Sequence, residues 1–91
     1  MAHTREYTEI DGVMVKVADG TRSGGIVGDS QTVNVYDESN TEGNYREVYR
    51  SRDRDCWVRA DQLRRDCRSL EELNSYLTLR GFESEGGRVL R

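Results

Sequence analysis

Eight arginines fall between Tyr45 and Arg68, interleaved with three of the seven aromatic residues of this 91-residue chain: Tyr45, Tyr49 and Trp57. Guanidinium groups pair bidentately with carboxylates and phosphates and stack on aromatic rings, so the mixture suits recognition better than bond-making chemistry. Residues 1–44 carry three basic and eight acidic side chains, 45–68 carry eight and five, and 69–91 carry three and four, for net charges of −5, +3 and −1. A chain polarised in this way steers a partner toward one patch. As a protein interface, the patch offers Tyr36, Tyr45, Tyr49, Arg50, Arg52, Trp57 and Arg59, residue types enriched where partners dock. As a nucleic-acid surface it would set Arg50, Arg52, Arg54, Arg59, Arg64, Arg65 and Arg68 on phosphates and stack Tyr45, Tyr49 or Trp57 on bases. Five interleaved acids and an overall net charge of −3 oppose that use. The third reading is internal pairing, such as Arg52 with Asp55, worth little at a surface.

Other chemistry is sparse. The single histidine, His3, lies at the N-terminus, where a positioned acid or base is not expected. Cys56 and Cys67 lack close metal-ligand spacing and a fourth ligand, so no metal site is predicted, and in a cytoplasmic chain they remain free thiols. Gly24-Gly25-Ile26-Val27-Gly28 has no following Lys-Ser/Thr and opens no helix, which fits strand edges around a bend better than a phosphate loop. The carboxylates are scattered. The expectation is a protein without cofactor and without catalysis.

The elements that must position the arginine segment are mostly strands. Glu6–Ile10 and Val13–Ala18 flank Asp11-Gly12, a two-residue hairpin loop whose members tolerate positive φ. Asp19-Gly20 turns the chain, Thr21–Gly25 forms a loop, Ile26-Val27 a short strand and Gln31–Asp37 a further one; the wholly non-apolar run Glu38–Asn44 is an exposed loop. Tyr45–Arg50 and Asp55–Arg59 read as the next strands. Strand parity sends Val33, Val35, Val48, Cys56 and Val58 inward, and Tyr36, Tyr45, Tyr49 and Trp57 to a second, aromatic face. Ser69-Leu70-Glu71-Glu72 is a capping box that predicts a helix over 70–80, with Leu70, Leu73 and Leu77 as its stripe and Gly81-Phe82 as its end. That helix is one candidate cover for the aromatic face. Residues 83–91, with two glycines and four charges, read as a flexible tail beyond a single α+β domain spanning 1–82. A rival reading takes Cys56, Ala60, Leu63, Cys67, Leu70, Asn74 and Leu77 as the 4-3-4-3 seam of one long helix. A compromise makes 60–66 a short helical turn before the main helix.

Asp19-Gly20 with Gly24–Gly28, then Thr32–Asp37, then Cys56-Trp57-Val58-Arg59-Ala60-Asp61-Gln62-Leu63, resembles a small SH3-like barrel of the KOW or Tudor type over residues 13–66. The resemblance implies a strongly curved antiparallel sheet or small barrel with one C-terminal helix. It implies no activity, because such barrels host unrelated functions.

With 34% apolar and 34% charged residues, the chain buries ~60 to 65% of its unfolded surface. It has no apolar run long enough for a membrane span and no signal-peptide pattern at Met1–Glu6, so the expected compartment is the cytoplasm. Thirteen arginines against one lysine suggest a GC-rich coding sequence, as in an actinobacterium, a haloarchaeon or one of their viruses. The sequence therefore predicts a small non-enzymatic protein-interaction module, an accessory or inhibitor protein of a phage or mobile element acting on a host or viral protein. The alternatives are a nucleic-acid-associated regulator using 45–68 and a self-associating structural protein whose aromatic face forms a homodimer.

Overall fold

The computed structural model describes residues 5–21, 27–37 and 44–89. The expected loop over 21–25, the glycines at 24 and 25, the loop over 38–44 and His3 fall wholly or largely outside the described residues. Five antiparallel strands and two helices make a mixed α+β fold. The strands are β1 (Arg5–Ile10), β2 (Val13–Thr21), β3 (Val27–Tyr36), β4 (Asn44–Ser51) and β5 (Phe82–Val89). A 3₁₀ turn (Arg54–Cys56), α1 (Ala60–Asp66) and α2 (Leu70–Leu79) lie between β4 and β5. The strand order is β1-β2-β3-β4-β5. The sheet is an open meander whose outer strands, β1 and β5, do not pair among the described residues, so barrel closure of the SH3 type is not seen.

The first hairpin forms where Asp11 and Gly12 both adopt positive φ, 54° and 76°, the conformation that matches the twist of the flanking strands. Register then runs without interruption from Ile10↔Val13 to Arg5↔Ala18. Alternation places Val15 and Val17 on one face, opposite Val35 and Val33 of β3. Both helices pack on that face: Ile10, Val15, Val17, Val33, Val35, Tyr49 and Phe82 meet Val58, Leu63, Leu73 and Leu77 in one core cluster.

At α2, Ser69 Oγ accepts from the Glu72 amide at 3.1 Å, while the Glu72 carboxylate accepts from the Arg68 amide at 2.8 Å instead of the Ser69 amide. Gly81 ends the helix at φ 92°, and a Cβ there would sit 2.7 Å from Cys56 Sγ. Both the backbone and the space demand glycine.

Four expectations are corrected. The helical layer holds two helices instead of one C-terminal helix; α1 stands over Ala60–Asp66, the span of the short helical turn in the compromise reading, because Val58, Ala60, Leu63 and Cys67 each reach the core. Residues 83–89, read as a tail, form β5 on the free edge of β4, with Phe82 anchoring its start opposite Ser51; the folded domain thus extends past residue 82. The segment 55–59 is not a strand, since β3 and β5 already flank β4 on both sides. Finally, the β3–β4 register shifts between Val35 and Tyr36, so parity counted from Tyr45 inverts further along β4. Tyr49 faces the core beside Val33, and Val48 faces away beside Asn34.

Candidate functional site

The seven residues singled out by sequence fall into four places. Tyr36, Tyr45 and Arg50 lie on the sheet face away from the helices. Tyr36 and Tyr45 meet edge to face at 5.3 Å, and Lys16 Nζ donates to Tyr45 Oη at 3.1 Å. Arg50 pairs with Glu85 at 2.8 Å and donates to Ser30 Oγ. Lys16, Asn34, Tyr36 and Val48 are buried on this side as well, so it does not present open rings to a partner. Tyr49 is in the core, its hydroxyl donating to Asn74 Oδ1 at 3.1 Å. Burial, reinforced by the Glu47 charge, holds that phenol above its ordinary pKa. Arg52 is exposed and lies along Gly81.

Trp57 and Arg59 form the fourth group, on the connection into α1. Asp53 starts that connection: its carboxylate accepts from the Asp55 amide at 2.9 Å, an Asx turn that bends the chain off the sheet. The extended stretch that follows is held by two polar side chains pointing from the helix-covered face. Gln31, 2% exposed, shares the parity of Val33 and Val35. Its Nε2 donates to the Val58 carbonyl at 2.8 Å and its Oε1 accepts from the Val58 amide at 2.9 Å. One side-chain amide thereby replaces the neighbouring strand that Val58 lacks. Glu6 of β1 pairs through Oε2 with Arg59 at 2.7 Å and through Oε1 accepts from the Ala60 amide at 2.9 Å, satisfying an orphan donor at the start of α1.

This double clamp fixes Val58 in the core and turns its neighbours outward. The Arg59 side chain is 72% exposed. Trp57 is half-buried, and its indole N–H is enclosed with no hydrogen-bond partner. Glu6, Gln31, Trp57, Val58 and Arg59 line a depression of about 270 Å³, below the usual size of a cofactor pocket and suited to one or two side chains. Residue type and spacing mark Trp57 and Arg59 but not Gln31 and Glu6. The signal for Gln31 was present: a polar residue in register with two inward valines must find buried partners.

The exposed guanidiniums of Arg64 and Arg68 continue along α1 and beyond it, while Arg65 pairs with Asp66 at 3.1 Å. That contact, led by the Arg65 hydrogen bond, holds the Asp66 carboxyl below its ordinary range. Cys56 and Cys67 are free thiols, and burial pushes the Cys67 thiol up. Among the described residues no group of His, Cys, Asp and Glu is gathered as a metal site, and no helix is long and apolar enough to cross a membrane. No protein-family model, curated protein or solved structure matches this chain in comparison.

Proposed function

We propose that the chain is a non-enzymatic protein-docking module, a small accessory or inhibitor protein acting in the cytoplasm on a host or viral protein, with Trp57 and Arg59 at the centre of contact. The observation that carries this reading is the indole N–H enclosed without an acceptor beside a side-chain-sized depression rimmed by an exposed guanidinium. Leaving such a donor unsatisfied costs ~1–3 kcal/mol. A partner that turns the indole toward one of its own acceptors removes that cost on binding. Trp and Arg are also the residue types that dominate interface energetics, and the Gln31 and Glu6 clamps hold the segment in place before contact, which lowers the entropic cost of docking.

Nucleic-acid binding has weaker support. Stacking needs an open ring beside the guanidiniums, whereas the large apolar side chains exposed among the described residues are Tyr7 and Leu79, neither within 45–68.

The test is capture by the tagged full chain from nuclease-treated host lysate, run in parallel with Arg59→Glu and Trp57→Ala. One protein retained in near-stoichiometric amount by the parent, and lost with Arg59→Glu while circular dichroism is unchanged, is the expected outcome. Equal retention by parent and variants refutes the site. Retention of nucleic acid alone from untreated lysate, abolished by nuclease, replaces the reading with the nucleic-acid one. Trp57 is the single tryptophan, so its emission reports directly on docking of the purified partner.

A further inference from the structure

The two outer strands of the sheet differ in how they end it. β5 meets β4 through register shifts between Tyr45 and Val48 and between Val48 and Tyr49, and it carries Gly86 at φ 78°. Such irregularities blunt an edge against further pairing. β1 has none: its six residues keep one unbroken register with β2 and contain neither proline nor glycine.

The hairpin decides which backbone groups β1 leaves open. Around a two-residue loop, Ile10 and Val13 form the hydrogen-bonded pair, so Thr8 and Glu6 also turn their N–H and C=O toward β2. Arg5, Tyr7 and Glu9 therefore turn theirs outward, and no described residue bonds them. Their side chains share the sheet face away from the helices. Arg5 and Glu9 are exposed, and Tyr7 is 50% exposed.

We propose that β1 pairs with β1 of a second copy, antiparallel about a two-fold axis at Tyr7, to join the two sheets edge to edge. In that register Tyr7 lies opposite Tyr7 of the partner subunit, and Arg5 opposite Glu9 of the partner subunit, twice by symmetry. Every pair is of the outward-facing kind, so each exchanges two backbone hydrogen bonds. The order cation, aromatic, anion along the strand is thus self-complementary when reversed. A slip of two residues sets Tyr7 against Glu9 of the partner subunit with Arg5 beyond the end of the partner's strand, or Tyr7 against Arg5 of the partner subunit with Glu9 beyond it, and a slip of one opposes groups that face β2. Within one chain Arg5 and Glu9 are four residues apart, about 13 Å along a strand, too far to pair with each other. This inference does not depend on the docking role of Trp57 and Arg59.

Sedimentation equilibrium of the full chain across a wide concentration range tests it. The parent is expected to dimerise reversibly. Arg5→Glu and Glu9→Arg each set like charges opposite one another twice and are expected to weaken the dimer by on the order of tenfold. An equimolar mixture of the two single variants restores attraction in both pairs, and the double variant R5E/E9R does the same within one chain. Both are expected to return to parental affinity. Circular dichroism on each variant separates weakened pairing from unfolding, and hydrogen exchange at the Tyr7 amide should slow as the parent dimerises. A parent of single-chain mass at every concentration overturns the proposal. So does a dimer that neither reversal weakens, or one that the mixture does not restore.

Discussion

Replacing Gln31 by leucine removes the clamp on Val58 while keeping nearly the same side-chain volume. Gln31 is 2% exposed and makes two hydrogen bonds, at 2.8 and 2.9 Å, to the carbonyl and amide of Val58, itself 2% exposed. Leucine offers neither donor nor acceptor, so both backbone groups of Val58 lose their partner inside the protein. Each unsatisfied buried group costs ~1–3 kcal/mol, for a sum of about 3 kcal/mol once partial relaxation toward solvent is allowed. For a chain of 91 residues the total stability is on the order of 5–13 kcal/mol, so the variant is expected to fold with a large part of its margin gone. With a urea slope of about 1.5 kcal/mol/M, the unfolding midpoint should fall by roughly 2 M. Urea titrations followed in parallel by far-ultraviolet circular dichroism and by Trp57 emission read the effect. The emission of the native variant should also shift to the red, as the freed segment admits water to the indole. A midpoint within about 0.3 M of the parent, given that slope, together with unchanged native emission, refutes the clamp.

Gly81→Ala is expected to destabilise by about 2–5 kcal/mol, from ~1–2 for a left-handed backbone and ~1–3 for crowding, because φ is 92° and the new Cβ meets Cys56 Sγ at 2.7 Å. Gly12→Ala at φ 76° meets nothing within 4 Å and should cost only the backbone part; equal melting temperatures for the two variants would refute the crowding. Ser69→Ala removes the cap on α2 and should cost ~1 kcal/mol, and an unchanged melting temperature would mean that Glu72 at the Arg68 amide already holds the helix start.

Where local chemistry and tertiary context agreed, the sequence was sufficient. Asp11-Gly12 permits only a tight hairpin, and Ser69 three residues before Glu72 marks a helix start; both stand where expected. Residues 83–89 escaped because a strand of glycines and charges has no pattern of its own, and β4 supplies its ladder. Trp57-Val58-Arg59 has strand-like composition, yet composition cannot tell whether a neighbouring edge is free. Parity failed along β4 because one register shift reverses every side chain after it, sending Tyr49 into the core.

The two residues that break the inward pattern most plainly, Glu6 and Gln31, are the ones that hold the candidate site. A polar side chain placed on a core face costs desolvation unless something meets it, and here both meet the backbone that presents Trp57 and Arg59. Leucine at Gln31 would fill the core more simply but leave Val58 without a ladder. The sheet thus gives up two apolar positions to fix a connection that no strand pairing could fix. Val58 requires that exchange in any case, because its buried amide and carbonyl have no ladder to join; under the proposed docking role the same contacts also hold the indole and guanidinium in place before a partner arrives.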